Sequence, residues 1–382
     1  MPLSSGVPRI LVAGISSLAV LVQDPPGRTA AVDLTIGGIE AREDYSFVAI
    51  SGLAFAPDGR IIVTDLRDHV VRMYENSGAF VYSIGRQGAG PGEFTFPIAA
   101  TIDHEGLLWV RDDGNRRFNA YELGPTRATF QTSVRYDHAP GVNRVEPIGF
   151  DGDGRIVSIG AIYGPGRTSK PACFHIGRDG KVVRVDTIRT PAADSIGDRS
   201  VLTRATTPGV SVPSTVYYYQ PFGPTFLVAH SLNGEWARVV TSRYDVEWFS
   251  WDARRLRAIR QSAEGPPLSD AERERGQKSI DEFLARARVP ASSIPGLPRR
   301  KTPVLRIAFD SDGNLWVERS VRDGEPREAD VYDREGRRLA AVRWPREVDL
   351  LGRQLVATSG SHVLGVASDS LGVQRVVRLR WR

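Results

Sequence analysis

The sequence predicts an all-β fold in which repeated four-stranded units stack around a ring. Two copies of one pattern flank a glycine-rich segment, GRQGAGPGEFTFP, at residues 85–97. In each copy an apolar strand ends in an acidic residue and a glycine, a second strand ends in a charged cluster, and a third ends in Tyr-Glu. A unit of this kind cannot bury both of its faces alone, so neighbouring units must stack.

Glycines at the expected innermost turns give the number of units. The gaps between them are 47, 48, 80, 79 and 47 residues, and they stand at Gly59, Gly106, Gly154, Gly234, Gly313 and Gly360. A regular period of this size with four short strands is typical of a propeller blade. The two long gaps each hold one blade and one insertion, which predicts a six-bladed β-propeller.

The ring needs one strand from the beginning of the chain. The sixth unit, 348–381, shows only three clear strands, and one further strand, AVDLTIGG at 31–38, precedes the first unit. We expect this strand to complete the last blade, because closure removes exposed sheet edges. The propeller therefore spans 31–382 and follows a separate hydrophobic segment within 1–30.

Two insertions interrupt the rhythm, at 190–224 and at 262–302. The first contains three consecutive tyrosines at 217–219. The second predicts one helix, because Ser269 and Glu272 form a capping box and Pro290 ends the pattern. Its apolar residues follow the spacing of a single helix face, at Ile280, Phe283, Leu284 and Ala287. We expect this helix to lie on the rim of the ring.

The beginning of the chain predicts export. Ile10–Val22 is an uncharged run of thirteen residues, shorter than the ~20 residues of a membrane-spanning helix. It suits the core of a signal peptide with cleavage after Ala31, or a retained anchor. A buried N-terminal strand is the alternative. The export hypothesis places the protein in the periplasm or cell envelope, with a membrane tether through 10–22.

Composition excludes several classes of function. The net charge is +5 over 382 residues, and no recognition helix, zinc spacing or aromatic-basic motif is present, so nucleic acid is not an expected partner. The single cysteine, Cys173, permits no intrachain disulfide, and its alternating neighbours predict a small buried side chain. The six histidines are scattered without the close spacing of a zinc site.

Three segments carry a resemblance to a known family. GRQGAGPGEF, VTDLRDHVVRMYE and WVRDDGNRRFNAYE resemble the linker and the Asp–Asn–Arg–Tyr core of NHL-repeat-like six-bladed β-propellers. His69 departs from the pattern, standing where asparagine is usual. The resemblance implies a toroid with a central channel and an upper face built by loops. It implies no single activity, because that fold hosts binding proteins, lactonases and lyases.

Charged residues gather where the second strands end, on the expected upper face. They are Asp65, Arg67, Asp68, Arg111, Asp112, Asp113, Glu318, Arg319 and Asp369. Such a ring can hold a hard cation or an anionic ligand. The structural interpretation is that Asp112 accepts backbone N–H groups in the following turn and pairs with Arg116. Trp248 and the tyrosines predict either packing between blades or a sugar- or peptide-binding platform.

These patterns support one main functional hypothesis and two alternatives. The main one is a non-catalytic scaffold, without cofactor, that binds protein partners such as an integral membrane complex through its two insertions. One alternative is a metal-assisted hydrolase or lactonase holding calcium in the channel through Glu146, Glu247 and Asp349, which precede expected innermost strands. The other is a sensor propeller that binds a small molecule or sugar at an apolar mouth. The candidate ligand- or partner-binding residues are Arg111, Asp112, Tyr163, Tyr218, Trp248 and Arg319.

Overall fold

The computed structural model describes residues 27–38, 42–136, 149–163, 169–187, 199–204, 214–252, 254–350 and 355–381. The chain starts with β1 (Gly27–Ile36) and a 3-10 turn at Glu43–Tyr45. Blade 1 contains β2 (Ile50–Phe55), β3 (Ile61–Asp65), β4 (Val70–Tyr74) and β5 (Phe80–Ile84), and blade 2 contains β6 (Pro97–Ile102), β7 (Leu108–Asp112), β8 (Arg117–Leu123) and β9 (Ala128–Arg135).

Blade 3 and blade 4 are separated by a hairpin. Blade 3 contains β10 (Gly149–Phe150), β11 (Ile156–Tyr163), β12 (Ser169–Ile176) and β13 (Val182–Thr187), the hairpin contains β14 (Arg199–Arg204) and β15 (Ser214–Tyr219), and blade 4 contains β16 (Phe226–His230), β17 (Trp236–Val240), β18 (Tyr244–Phe249) and β19 (Arg255–Gln261).

The last two blades follow a helical insertion. It contains α1 (Asp270–Ala287) and a 3-10 turn at Ala291–Ser293. Blade 5 contains β20 (Val304–Phe309), β21 (Leu315–Arg319), β22 (Arg327–Tyr332) and β23 (Arg338–Trp344), and blade 6 contains β24 (Val348–Asp349), β25 (Thr358–Ser359), β26 (His362–Ser368) and β27 (Gln374–Trp381).

In blades 1 to 5 the strands pair antiparallel in chain order from the channel outward. In blade 6 the two short strands β24 and β25 both pair with β26, which pairs with β27. The innermost strands of neighbouring blades contact each other, as β2 with β6 and β16 with β20. Residues of blades 1, 2, 4 and 5, with Leu355, line a common space at the centre. Six such sheets around a central channel are a six-bladed β-propeller, as the sequence predicts.

The ring is closed by β1, and the predicted closing strand is confirmed. From Ala30 to Ile36 it pairs antiparallel with β27, ending at the pair Ile36↔Val376. Its first three residues, from Gly27, pair parallel with β23 of blade 5. One strand thus covers the open edge of blade 6 and ties it to blade 5, so no long edge is left between them.

Five of the six predicted turn glycines lie between the first and second strands of a blade, and Gly360 lies between β25 and β26 of blade 6. All six have positive φ, from 57° to 85°. Aspartates stabilise several of these turns. Asp103, for example, accepts the N–H groups of Glu105 and Leu107 at 3.0 and 2.9 Å and the indole N–H of Trp109 at 2.7 Å. One carboxylate thus connects the turn to the next strand. The same motif occurs in blade 5 with Asp310 and Trp316.

The core consists of apolar side chains held between adjacent blades. Trp109, Trp248, Trp316 and Trp344 are all fully buried. Complete burial of a large apolar side chain stabilises the fold by about 2–3 kcal/mol. Cys173 is also buried, as predicted, and burial raises the pKa of its thiol to about 12.

The predicted helix is confirmed with its capping box, in which Ser269 and Glu272 bind each other's backbone N–H. It ends at Arg288, a left-handed residue with φ 54°, two residues before Pro290. Its apolar face, including Phe283, packs against Tyr218 of the hairpin. Within the described ranges, no helix is long and apolar enough to cross a membrane. The run at 10–22 lies outside the described residues.

Candidate functional site

The innermost strands all begin at one end of the channel, which we call the upper face. A cavity of about 480 Å³ opens there between blades 1, 2 and 6 and is called the mouth cavity below. Its polar lining consists of Ser51, Glu347, Asp349, Ser368 and Gln374. Its aliphatic lining consists of Ile50, Leu53, Leu66, Ile98, Leu350, Leu355, Leu364 and Val366.

The charge on the mouth cavity is acidic. Among the described residues that line it, two are carboxylates and none is basic. Glu347 is exposed and has no hydrogen bond or ion pair with any described residue. Asp349 accepts hydrogen bonds from Arg306 and Arg327 at 2.7 and 3.2 Å, both at Oδ1. Its Oδ2 has no partner in the described part of the chain, so both residues offer acceptor oxygens to the cavity.

Glu318 lies behind Asp349 and completes a charge cluster. It is 1% exposed, and its oxygens are 3.4 Å from Arg306 and 3.6 Å from Arg327 without forming a hydrogen bond in the described structure. Burial raises the pKa of its carboxyl group, although the two arginines oppose the shift. The cluster holds Asp349 in place at the edge of the mouth cavity.

Three exposed apolar side chains stand within a few residues of the cavity lining along the chain. Val48 is 54% exposed and precedes Ile50 of the cavity, while Phe96 is 50% exposed and precedes Ile98. Leu371, 74% exposed, lies at the tip of the turn between β26 and β27. We call these three residues the apolar collar. Apolar residues grouped at the opening of an aliphatic cavity are typical of a ligand or partner surface.

The predicted ring of upper-face aspartates is a structural device. Asp112 is fully buried and accepts the N–H groups of Thr95 and Phe96 at 3.0 and 2.9 Å. Its basic partner is Arg117, 3.6 Å away, and the expected pairing with Arg116 is wrong. Arg116 has a φ of 52°, the left-handed conformation of a turn residue. The next side chain, that of Arg117, lies beside the carboxylate of Asp112.

Blade 1 repeats this arrangement with different residues. Asp65 is buried and accepts the N–H groups of Val48 and Ala49. Asp68 occupies the position of Asn115 in blade 2, so the residue that replaces asparagine is Asp68 and not His69. His69 instead has a φ of 59°, like Arg116.

The two candidate arginines lie away from the mouth cavity. Arg111 is fully buried and donates to Ser158 and Asp113 at 3.2 and 2.9 Å. Arg319 forms ion pairs with Glu328 and Asp330. Neither guanidinium lines the cavity, because each is held by acceptors of its own or the next blade.

The candidate aromatic residues are also placed elsewhere. Trp248 is buried between blades 4 and 5, with its ring against Phe309 and its N–H bonded to Glu235. Tyr218 is 2% exposed beneath α1, so neither is accessible to a ligand as the platform hypothesis requires. Tyr163 ends β11, and its side chain lies outside the described part.

The three expected metal ligands are not assembled by the described structure. Glu146 lies outside the described residues. Glu247 lies on β18, the third strand of blade 4, where Arg238 and Arg255 bind it, so its expected place before an innermost strand is wrong. Asp349 does lie on the innermost strand of blade 6. Among described residues no group of three or more acidic, histidine or cysteine side chains is arranged to hold a metal ion.

Two buried histidines were not singled out by the sequence. His175 lies between Asp151 at Nδ1, 2.8 Å, and Asp186 at Nε2, 3.0 Å. In blade 3 it takes the role that tryptophan has in blade 2, donating to the turn aspartate. His230 stacks on Trp236, and neither of its ring nitrogens has a partner in the described structure.

His230 should make the protein sensitive to acid. Burial lowers its pKa to about 3, whereas the unfolded chain titrates near 6.5. The unfolded state therefore gains a proton first as the pH falls, and about 2 kcal/mol of stability should be lost between pH 8 and pH 5 through this residue. His230→Phe should remove that part, because phenylalanine or isoleucine ends the innermost strand in blades 1, 2, 3 and 5. Urea unfolding of the wild type and of His230→Phe at pH 8 and pH 5 measures the stability that each loses. Equal losses in the two proteins would contradict the prediction.

Comparisons with known proteins agree with the architecture. Residues 36–136, from the end of β1 through blade 2, match a family model described as a 6-bladed beta-propeller. No curated protein matches the chain. The comparisons bear on the propeller fold and do not confirm the NHL-repeat resemblance.

Several solved structures are similar to this chain at low identity. A Xanthomonas campestris gluconolactonase is 12% identical over 94% of this chain and 99% of its own, with a TM-score of 0.42. A Bacteroides fragilis protein inferred to be exported is 9% identical over 92% and 95%, with a TM-score of 0.49. Agrobacterium tumefaciens regucalcin, a calcium-binding protein, is 12% identical over 93% and 96%, with a TM-score of 0.38. The sheet order and the family model together identify this chain as a six-bladed β-propeller.

Proposed function

We propose that this protein binds a small molecule with an apolar body in the mouth cavity. The observation that carries the proposal is the lining, in which aliphatic side chains from three blades meet at an accessible opening with a few polar groups at its edge. Binding sites for small molecules are typically concave, mostly apolar and supplied with a small number of polar groups that orient the ligand. The cavity volume also lies in the range of such sites.

Leu66 offers the sharpest test. It is half-buried in the turn after β3 and lines the cavity, so Leu66→Trp should fill the space without disturbing the core. With N-phenyl-1-naphthylamine, a neutral apolar dye, we expect saturable binding to the wild type and affinity at least about tenfold weaker in the variant.

Leu339→Trp is the matched control, because Leu339 is 44% exposed on the outer strand of blade 5. It should bind the dye as the wild type does, and circular dichroism should show that both variants are folded. Dye binding that Leu66→Trp leaves unchanged, or no saturable binding at all, would overturn the proposal.

A turnover assay separates binding from hydrolysis. A lactonase or esterase at the mouth would consume a small ester or γ-lactone and depend on Asp349, the one expected metal ligand that lies there. A binding protein would release its ligand unchanged. Turnover by the wild type that is lost in Asp349→Asn would replace the binding proposal with the hydrolase alternative.

Export and a scaffolding role remain proposals supported by the sequence. The Ile36 end of β1 lies near the upper face, and Gly27 is nine residues upstream, about 30 Å away along a strand. The chain thus enters the ring from the opposite face. If 10–22 is a retained anchor, the mouth cavity is directed away from the membrane, and the insertions remain the candidate contact surfaces for partners.

A further inference from the structure

The lining of the mouth cavity also indicates the shape of its ligand. No aromatic side chain is among the described residues that line it, so aromatic stacking inside the cavity adds nothing to binding. Leucine, isoleucine and valine side chains form the walls, and such walls fit a flexible hydrocarbon chain best, since burial is non-directional and proportional to apolar area.

The apolar collar extends this surface beyond the cavity. Val48 and Phe96 follow the rim on the side of blades 1 and 2, and Leu371 lies on the side of blade 6. A chain longer than the cavity would therefore remain in contact with apolar atoms as it leaves.

The polar edge indicates the charge of the head group. The protein carries 50 Lys and Arg residues against 45 Asp and Glu, yet the cavity lining is acidic. Glu347 is unpaired in the described structure, and Asp349 leaves Oδ2 free because Arg306 and Arg327 both bind Oδ1. Arg306 and Arg327 balance the charge of Asp349, so Glu347 supplies the uncompensated charge. Together with Oδ2 of Asp349 it complements a positively charged head group at the end of an aliphatic cavity.

We propose that the mouth cavity binds cationic amphiphiles, with the alkyl chain among the aliphatic side chains and the cationic head beside Glu347 and Asp349. The inference rests on the proposed binding function and names its ligand class. Arg306, Arg327 and Glu318 act as positioning residues, since they fix the orientation of Asp349.

Calorimetric titration with alkyltrimethylammonium ions below their micelle concentration tests the chain. Affinity should rise about fourfold with each added methylene until the chain fills the cavity, and Leu66→Trp should abolish the rise. A comparison of decyltrimethylammonium, decyl maltoside and decyl sulfate tests the head group. We expect the cation to bind best and the anion worst.

Glu347→Gln should weaken decyltrimethylammonium about threefold to tenfold and leave decyl maltoside unchanged. The control is Glu335→Gln, an exposed glutamate in the turn after β22, which should change neither. If the three amphiphiles bind equally and Glu347→Gln has no effect, the head-group assignment is overturned while the binding function stands. If none of them binds and the neutral dye also fails, both proposals fall.

Discussion

Replacing Asp112 with alanine is expected to lower the free energy of unfolding by about 3–5 kcal/mol, which is a large part of the stability of a typical domain. The carboxylate is fully buried and accepts the N–H groups of Thr95 and Phe96 and the amide of Asn115. Without it these donors lose their acceptor inside the protein. The buried guanidinium of Arg117 also loses its carboxylate, and an uncompensated buried charge is the larger penalty.

Urea unfolding of the variant beside Glu105→Ala measures this effect. Glu105 belongs to the same blade, but its side chain is 63% exposed, so its removal should change stability by less than about 0.5 kcal/mol. Asp112→Asn should fall between the two, because it retains a hydrogen-bond acceptor and loses the charge. A loss in Asp112→Ala no greater than in the control would show that the upper-face aspartates do not support the blades.

The sequence predicted the ring because its signals are local. A turn glycine such as Gly106 must have positive φ, and Asp103 must precede it by a fixed number of residues to accept the N–H groups of the turn. The glycine recurs in all six blades and the aspartate in blades 2, 3 and 5, and both are visible without knowledge of the fold. The closing strand was visible for a related reason, since the last unit was one strand short.

The site was not predictable in the same way. Ile50, Ile98 and Leu364 meet only because three blades converge on the channel, and nothing in their local sequence distinguishes them from core residues. The sequence analysis instead selected charged residues at strand ends. Asp112 is one of them, but it is buried and its carboxylate accepts backbone N–H groups. Glu247 was expected near the start of an innermost strand, whereas it lies on the third strand of blade 4.

Ile36→Asp is expected to open the ring. Ile36 is 2% exposed and packs with Phe47, Tyr74 and Val376 at the boundary of blades 6 and 1. A carboxylate there has neither water nor an assigned partner, so the variant should lose more than about 4 kcal/mol or fail to fold. Ile36→Ala keeps the test quantitative if it does fail, with an expected loss of about 2–5 kcal/mol.

Val32→Asp is the matched control, because Val32 lies on the same strand and is 44% exposed. It should change the free energy of unfolding by less than about 1 kcal/mol. The two variants also differ in association. Loss of β1 uncovers the edge of β27 and releases β23 from its parallel partner, so Ile36→Ala should show concentration-dependent light scattering that Val32→Asp does not. Equal stability of the two aspartate variants would mean that closure by β1 contributes little. The ring would then be held by contacts between the inner strands, and blades 5 and 6 would have to remain docked without a shared strand.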